Sequence, residues 1–456
     1  ISMHSNKNDR ERLDAWISAS RGLVDVVIGT RSSVFTPFLD LGMIVVDEEH
    51  DLSYKQAERF RYSARDIAIY RAKLLNIPLI LASATPSLES IKNSLDNKYS
   101  LIELKKRATG AELPLYKSID LRGKDLINGF SEELLKEIDF ELQNKNQVLI
   151  FINRRGYAPA IICEFCGWIE LCKSCDASMT IHSNPFRALC HHCEVTKEVP
   201  KNCANCGKLD FNYLGVGTQK VEEFLNERFS SYPVTRIDRD TTRRKFSMED
   251  YLNEVNSGKP MILVGTQILA KGHHFPDVTL VGIMDADCGL FSADFRGSER
   301  VAQLITQVAG RAGREKKNGK VFLQTYFPDH PQIEELVSGN YQNFLNRILE
   351  ERSISCTPPF SYQARFQAES SQGKLAQDFL YKLSQLVKDN KKFRIVGPIP
   401  SIMERKSSVY RWELNIYSIT RQPLHHKLEE IVNLLYKQKK ISKVRWSLDV
   451  DPIGVW

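Results

Sequence analysis

Short apolar runs rich in β-branched residues recur along this chain, separated by stretches of helical spacing, and no other feature restricts the fold as much. "VDVVIGT" (24–30), "GMIVVDE" (42–48) and "IPLILASAT" (77–85) come first. "QVLIFIN" (147–153), "MILVGT" (261–266), "TLVGIMDAD" (279–287) and "KVFLQTY" (320–326) follow. Runs this continuously apolar suit strands buried on both faces, as in a parallel sheet covered by helices. Between the second and third runs, Ile67, Tyr70, Leu74 and Leu75 recur at helical spacing within "SARDIAIYRAKLL" and predict an amphipathic helix. The chain therefore reads as open α/β sheets, in which ligands gather at the carboxyl ends of the strands.

The 456 residues suffice for about three domains. Residues 1–107 form a first α/β segment and 108–330 a second. The second is interrupted by a cysteine-rich block, 163–207, with little periodicity. Residues 331–456 read as a small α+β domain, with a helix over 373–390 and then short strands. No apolar run reaches the ~18 residues of a membrane span, so no membrane partner is expected. The opening "ISMHSNKNDRERLDAW" has no apolar core, so it is not a secretory signal. A cytoplasmic, reducing compartment follows, where thiols rather than disulfides persist. The formal charge of +7 is a mild hint of an anionic partner.

The second run delivers Asp47, Glu48, Glu49 and His50 to a strand end. A carboxylate there can hold Mg²⁺ against phosphate oxygens, and its neighbour can orient and deprotonate an attacking water. The plain alternative is an acidic helix N-cap. "SATP" (83–86) offers Ser83 and Thr85 as relays between two sites; alone it reads as a helix N-cap followed by Pro at N1. "VGTQILAKGHHF" (264–275) places Gly, Thr, Gln and Lys271 after a strand, where backbone N–H groups can grip phosphates. In "QLITQVAGRAGR" (303–314), Gln307, Arg311 and Arg314 would share one face of a helix. Two guanidiniums there suit a nucleotide γ-phosphate, in the manner of arginine fingers. Otherwise the stretch is a solvated basic face.

The cysteine block carries Cys163, Cys166, Cys172, Cys175, Cys190, Cys193, Cys203 and Cys206 as four Cys-x-x-Cys pairs. Tetrahedral Zn²⁺ needs two such pairs, so four pairs suggest two structural zincs without an open position. A redox function needs only one pair and leaves the others unexplained. Gly167 and Gly207 follow the first and fourth pairs directly, a sign that these knuckles share a geometry. Eight thiolates and two Zn²⁺ would bring the formal charge to about +3, with Lys173, Lys197, Lys201 and Lys208 offsetting the anionic sites. Cys288 and Cys356 stand alone as expected packing residues.

The order DEEH, SAT, GTQILAKGHHF, QVAGRAGR resembles motifs II, III, V and VI of superfamily 2 helicases. With the cysteine block and "LFSADFRGSER" (290–300), it is similar to the bacterial replication-restart helicases, the primosomal protein N-prime family. That resemblance implies two RecA-like lobes, the first incomplete, with a zinc-binding insertion and a small α+β C-terminal domain. It implies an ATP-driven, 3′-to-5′ DNA translocase that recognises stalled or branched forks and initiates primosome assembly. Its partners would be fork and single-stranded DNA, primosome proteins, single-stranded DNA-binding protein and helicase-loading proteins, with the chain a monomer. Asp47 would bind Mg²⁺ and Glu48 would be the general base, with Gln307, Arg311 and Arg314 acting on the nucleotide. His50, Ser83 and Thr85 would couple hydrolysis to DNA movement. "DLSYKQAERFRY" (51–62) resembles an aromatic-rich loop, offering Tyr54, Phe60 and Tyr62 to bases, and a ring stacks on any base for ~1–3 kcal/mol. Thr30, Arg31 and Lys271 would touch DNA phosphates. A nested zinc pairing is implied, Cys163, Cys166, Cys203 and Cys206 on one ion, Cys172, Cys175, Cys190 and Cys193 on the other.

The family's nucleotide cradle, Gly-x-x-x-x-Gly-Lys-[Ser/Thr], does not occur in these residues, since none of the Gly-Lys pairs is followed by Ser or Thr. In the family it lies upstream, so ATP and Mg²⁺ would bind tightly only with that portion present, and this polypeptide alone should lack ATPase activity. The alternative is a non-enzymatic, zinc-containing scaffold that binds DNA and proteins. An RNA helicase fits the ATPase motifs but not the cysteine insertion.

Overall fold

The computed structural model describes residues 1–4, 7–104, 114–152, 161–163, 165–173, 179–183, 186–190, 195–208, 211–212, 218–237, 248–266, 275–284, 286–290, 292, 294–313, 318–387, 392–406, 409–437 and 443–454. Two compact units divide it, Ile1–Lys98 and Tyr99–Trp456.

In the first unit, β1 (Ile44–Val46) and β2 (Leu79–Leu81) pair in parallel. The connecting helix α1 (Ala64–Leu75) starts at Ser63, whose hydroxyl accepts the Asp66 N–H, and stops at Asn76 in the left-handed conformation (φ 53°). Its buried residues are Ala64, Ala68 and Ala72, four apart. Tyr70 and Leu74 are 64% and 66% exposed, so the apolar stripe expected from the large residues is not the packed one. Alanines at i, i+4 and i+8 give a narrow face on which a backbone can lie close to strands, which bulky side chains would prevent. The strands also differ from expectation. Val45 is 55% exposed while Val46 is buried, the alternation of a ribbon covered on one face. The run at 24–30 forms only the two-residue strand Ile28–Gly29, parallel to Ser2–Met3. Helix α2 (Leu88–Leu95) is capped by Ser87, not by Thr85 as the "SATP" pattern suggested.

In the second unit six strands form one sheet. They are β3 (Leu115–Asp120), β4 (Gln147–Ile152), β5 (Val234–Ile237), β6 (Ile262–Gly265), β7 (Val278–Met284) and β8 (Lys320–Thr325), in the order β5-β6-β4-β7-β8-β3. Every pairing is parallel. All residues of β4, β6 and β7 are buried, as their continuous apolarity predicts. The edge strands β3 and β5 mix polar and apolar residues. Helix α3 (Glu132–Gln143), capped by Ser131, sets Leu134, Ile138 and Leu142 against Val148, Ile150 and Leu280. Gly282 in β7 permits this approach, since a Cβ there would lie 2.9 Å from Ile150 Cδ1. Helix α4 (Thr218–Arg228) adds Val221 and Leu225 to the same core.

Helix α5 (Gly297–Ala309) is anchored to α6 (Tyr341–Ile354) by a buried ion pair, Arg352 to Glu299 at 2.6 Å, both side chains 6% exposed or less. Arg352 also donates to the Pro358 carbonyl at 3.1 Å and lies over the Phe295 ring. Breaking such a pair strands a buried charge, so Arg352→Ala should cost about 3–5 kcal/mol in a urea titration, Arg352→Lys less. Near-wild-type stability would refute that.

A four-stranded sheet further along the chain is antiparallel, with β9 (Tyr362–Ser370), β10 (Arg394–Lys406), β11 (Val409–Ser418) and β12 (Arg445–Val450) in the order β10-β11-β9-β12. Helices α7 (Gly373–Val387) and α8 (Arg421–Lys437) pack Leu380, Leu383, Leu424 and Ile431 onto Phe366, Leu414 and Ile416. β10 spans 13 residues, longer than the short strands anticipated. In β11, Arg411, Glu413 and Asn415 are also buried; Arg411 pairs with Glu369 at 3.3 Å, which removes it from solvent.

Candidate functional site

The acidic stretch follows β1 as a turn rather than as a helix cap; the cap of the next short helix is Asp51. Glu48 sits in the left-handed region (φ 46°), which a non-glycine residue adopts at a cost of about 1 kcal/mol or more. Several bonds hold it there. Tyr54 donates its phenol hydrogen to the Asp47 carbonyl at 2.6 Å, and Asp47 Oδ1 accepts the Glu48 N–H at 2.9 Å. The Glu49 N–H reaches the Ala82 carbonyl at 3.0 Å, tying the turn to the end of β2.

His50 joins this turn to the "SAT" segment. Its Nδ1 lies 2.7 Å from Ser83 Oγ and 3.6 Å from Glu48 Oε2, and its Nε2 lies 3.4 Å from Thr85 Oγ1. Asp47 is exposed, Glu48 half-buried and Thr85 buried. Glu49, which sequence reasoning passed over, is 2% exposed. It accepts from the Ser87 N–H (2.6 Å), Ser87 Oγ (3.0 Å) and Arg65 Nη1 (3.0 Å). Burial would weaken Arg65's hold on its proton, but Asp66 and Glu49 outweigh it and raise its pKa. No periodicity signals this network, because its members are remote in sequence.

The aromatic loop is fastened to the same turn. Arg31 donates to the Ser53 and Lys55 carbonyls, each at 3.2 Å, so its guanidinium anchors the loop. Thr30 is exposed, its carbonyl accepting Ser33 Oγ at 2.6 Å. Phe60 is 73% exposed and stacks on Tyr62 at 5.7 Å, and Tyr62 meets Phe35 edge-on at 5.0 Å. Phe60 is thus the ring offered to solvent, Tyr62 its support, and Tyr54 the tie to Asp47. Burial, and then the carboxylates of Asp47, Asp51, Glu48 and Glu49, push the Tyr54 phenol up, so it remains a donor.

In the second unit the expected shared helix face of Gln307 and Arg311 is not found. Helix α5 ends at Ala309, with Gly310 its C-cap, and Arg311 lies in the following turn at 6% exposure. Gly313, at φ 63°, closes this turn, and its N–H donates to the Val278 carbonyl at 3.0 Å. Two glycines three apart break the helical register that the spacing suggested. Gln307 is half-buried on the last turn of α5. Arg314 and Lys271 lie outside the described residues.

Four thiols converge in the cysteine block. Sγ atoms of Cys163, Cys166, Cys203 and Cys206 all lie within 4.8 Å of one another. Cys163 is 3.6 Å from Cys206, and Cys166 is 3.5 Å from Cys203. Tetrahedral Zn²⁺ at ~2.3 Å requires sulfurs about 3.8 Å apart, so this set fits the ion. The two knuckles are copies of one turn. Gly167 and Gly207 both have φ 75°, and their N–H groups donate to the carbonyls of Cys163 and Cys203, each at 2.9 Å. Burial pushes the Cys163 thiol up to about 12. At Cys166 hydrogen bonds from Asn205 and Trp168 overcome burial and bring it to about 7. Deprotonated together, four thiolates this close would need a cation among them. Pairing across the two knuckles, rather than within one, also disfavours the redox alternative. Cys172 and Cys190 are buried, whereas Cys175 and Cys193 lie outside the described residues. Of the nearby lysines, Lys197 pairs with Glu170, and Lys208 lies over the Phe165 ring at 3.2 Å. Cys356 is exposed rather than packed.

Residues 213–316 match the helicase conserved C-terminal domain, and residues 355–453 match the primosomal protein N C-terminal domain. The replication restart protein PriA of Haemophilus influenzae is 44% identical over 455 residues, covering 99% of this chain. The chain belongs to the PriA family of superfamily 2 helicases. The PriA proteins of Bacillus subtilis and Chlamydia pneumoniae are 38% and 36% identical, each over 99% of this chain. The chain spans 62%, 56% and 61% of the length of these three PriA relatives. Its α/β fold carries a six-stranded parallel sheet, a cysteine-rich insertion and a stretch that matches the family's C-terminal domain. Among the described residues, no helix is long and apolar enough to cross a membrane.

Proposed function

We propose that this chain is the motor and C-terminal part of an ATP-driven, 3′-to-5′ DNA translocase that recognises branched forks and initiates primosome assembly in the cytoplasm. The observation that carries the proposal is the His50 bridge. One imidazole contacts Ser83 and Thr85 and lies 3.6 Å from Glu48, which supports a coupling role for His50 between the acidic turn and the SAT segment. In this reading Asp47 holds Mg²⁺, Glu48 takes the proton of the attacking water, and Gln307, Arg311 and Arg314 act on the nucleotide. Phe60, backed by Tyr62, stacks on bases of single-stranded DNA, where a ring is tolerant of sequence. Thr30 and Lys271 touch phosphates, while Arg31 acts by holding the loop. Cys163, Cys166, Cys203 and Cys206 hold one structural Zn²⁺, and Cys172, Cys175, Cys190 and Cys193 a second. Single-stranded DNA-binding protein, primosome proteins and helicase loaders are the partners, and the chain is a monomer. The proposed boundaries are 1–107, 108–330 and 331–456.

Phosphate grip in such motors comes largely from a backbone N–H nest and its lysine. These residues contain no such sequence, so the purified 456-residue chain should show no DNA-stimulated ATP hydrolysis. Measurable turnover by this polypeptide would refute that assignment. The four converging thiols are equally compatible with a second reading, a zinc-containing scaffold for DNA and proteins without catalysis. The same assay, run on a form that includes a nucleotide cradle, separates the two: DNA-stimulated turnover supports the motor, and its absence the scaffold.

A further inference from the structure

The first knuckle is seated on the end of the six-stranded sheet. A Cβ on Gly167 would lie 2.7 Å from Tyr326 Cβ and 3.1 Å from the Tyr326 carbonyl oxygen, so only a glycine fits there. One turn of chain away, the Phe165 carbonyl accepts the Gly123 N–H at 3.0 Å, from the turn after β3. Tyr326 immediately follows β8, and a single carboxylate holds that strand end. Asp287 Oδ2 accepts the Tyr326 N–H at 2.8 Å, and Asp287 Oδ1 accepts the Thr325 hydroxyl at 2.5 Å. Asp287 is 5% exposed and belongs to the short helix Ala286–Leu290, two residues beyond β7. The ends of two neighbouring strands are therefore pinned together at the place the knuckle touches.

We propose that Asp287 is a positioning residue for the metal platform: its carboxylate fixes Tyr326, the floor on which the Cys163–Cys166 knuckle closes. Charge-assisted hydrogen bonds in a buried setting are stiff and directional. A tetrahedral ion needs all four sulfurs at ~2.3 Å together, so a small displacement of one knuckle weakens the whole set. Metal occupancy and the clamp consequently stabilise each other, and linkage makes that coupling reciprocal: whatever loosens the clamp loosens the metal, and removing the metal loosens the clamp. Neither Asp287 nor Thr325 is a ligand, and the proposed ATPase chemistry uses neither. The inference rests on the four thiols holding Zn²⁺, as proposed above.

The test uses the whole chain loaded with Zn²⁺, with variants Asp287→Asn and Thr325→Val, and Leu428→Ala in the C-terminal core as a control. Release of Zn²⁺ to a chromogenic chelator is timed, the phase from this site being the one that Cys203→Ser lacks. Amide exchange at Tyr326 is followed with and without metal. Asp287→Asn and Thr325→Val should release this ion about fivefold faster or more. Metal removal should raise exchange at the Tyr326 amide in the wild-type chain, and Leu428→Ala should leave release unchanged. Wild-type release rates in both clamp variants, or equal acceleration in Leu428→Ala, would overturn the proposal while leaving the metal site standing. A wild-type chain with no Zn²⁺ on these thiols would overturn the metal assignment and this proposal together.

Discussion

Replacing Cys203 with serine is expected to remove one Zn²⁺ from the chain and to unfold both knuckles that share it. Cys203 is buried and lies 3.5 Å from Cys166, with its N–H donated to the Lys208 carbonyl. A serine hydroxyl does not ionise near neutral pH, so the site loses a ligand and a charge. Apparent binding free energies for structural zinc are about 10–16 kcal/mol, and in small metal domains that energy is folding energy. The six-stranded sheet should survive, because the core of β4, β6 and β7 is filled by α3 and α4 rather than by the knuckles. Metal content by mass spectrometry should fall by one equivalent, near-ultraviolet dichroism from Trp168 should collapse, and far-ultraviolet dichroism should change little. Metal retention by Cys203→Ser would contradict the assignment. Acidification should act in the same direction: ligands bind as thiolates, protons compete, and affinity falls as pH falls.

The second large effect separates two adjacent carboxylates. In a form of the protein that includes a nucleotide cradle, Glu48→Gln should lower DNA-stimulated ATP turnover by about 10²–10⁴-fold, the usual worth of a general base. DNA affinity and thermal stability should hold, since Glu48 is half-exposed. Glu49→Gln should behave otherwise. Its carboxylate is buried under Ser87 and Arg65, so the substitution leaves Arg65 with a weakened counter-charge and loosens the start of α2. Hydrogen bonds to charged groups contribute about 1.5–3 kcal/mol each, and the loss should appear as a lower melting temperature. Equal catalytic losses in the two variants, with equal stability, would show that the turn does not divide these roles.

The parts of this molecule legible in its sequence are those set by burial and local chemistry. β4, β6 and β7 are apolar at nearly every position because both faces are covered, and that pattern needs no knowledge of neighbours. The glycines after Cys166 and Cys206 marked two equivalent turns for a similar reason, since a left-handed φ excludes most residues. Edge strands β3 and β5 escaped notice because one side of each meets water, so their residues mix polar and apolar types. Helix α1 misled for another reason: its large apolar residues face solvent, while three alanines do the packing. The position of Arg311 turned on Gly310 and Gly313, which end the helix just where the i, i+4 spacing assumed it continued. The Glu49–Arg65–Ser87 network and the Asp287 clamp join residues remote in sequence and were not visible in any window.

The claim on which the functional account depends is that the acidic turn at 47–50 and the arginine turn after α5 serve one hydrolytic reaction. DNA-stimulated ATP turnover of Glu48→Gln, Arg311→Ala and the double variant, in a cradle-bearing form, tests it most directly. Residues that act as a unit are strongly non-additive, so the double variant should be no slower than the worse single variant. Losses that simply multiply, or wild-type turnover in Arg311→Ala, would contradict it.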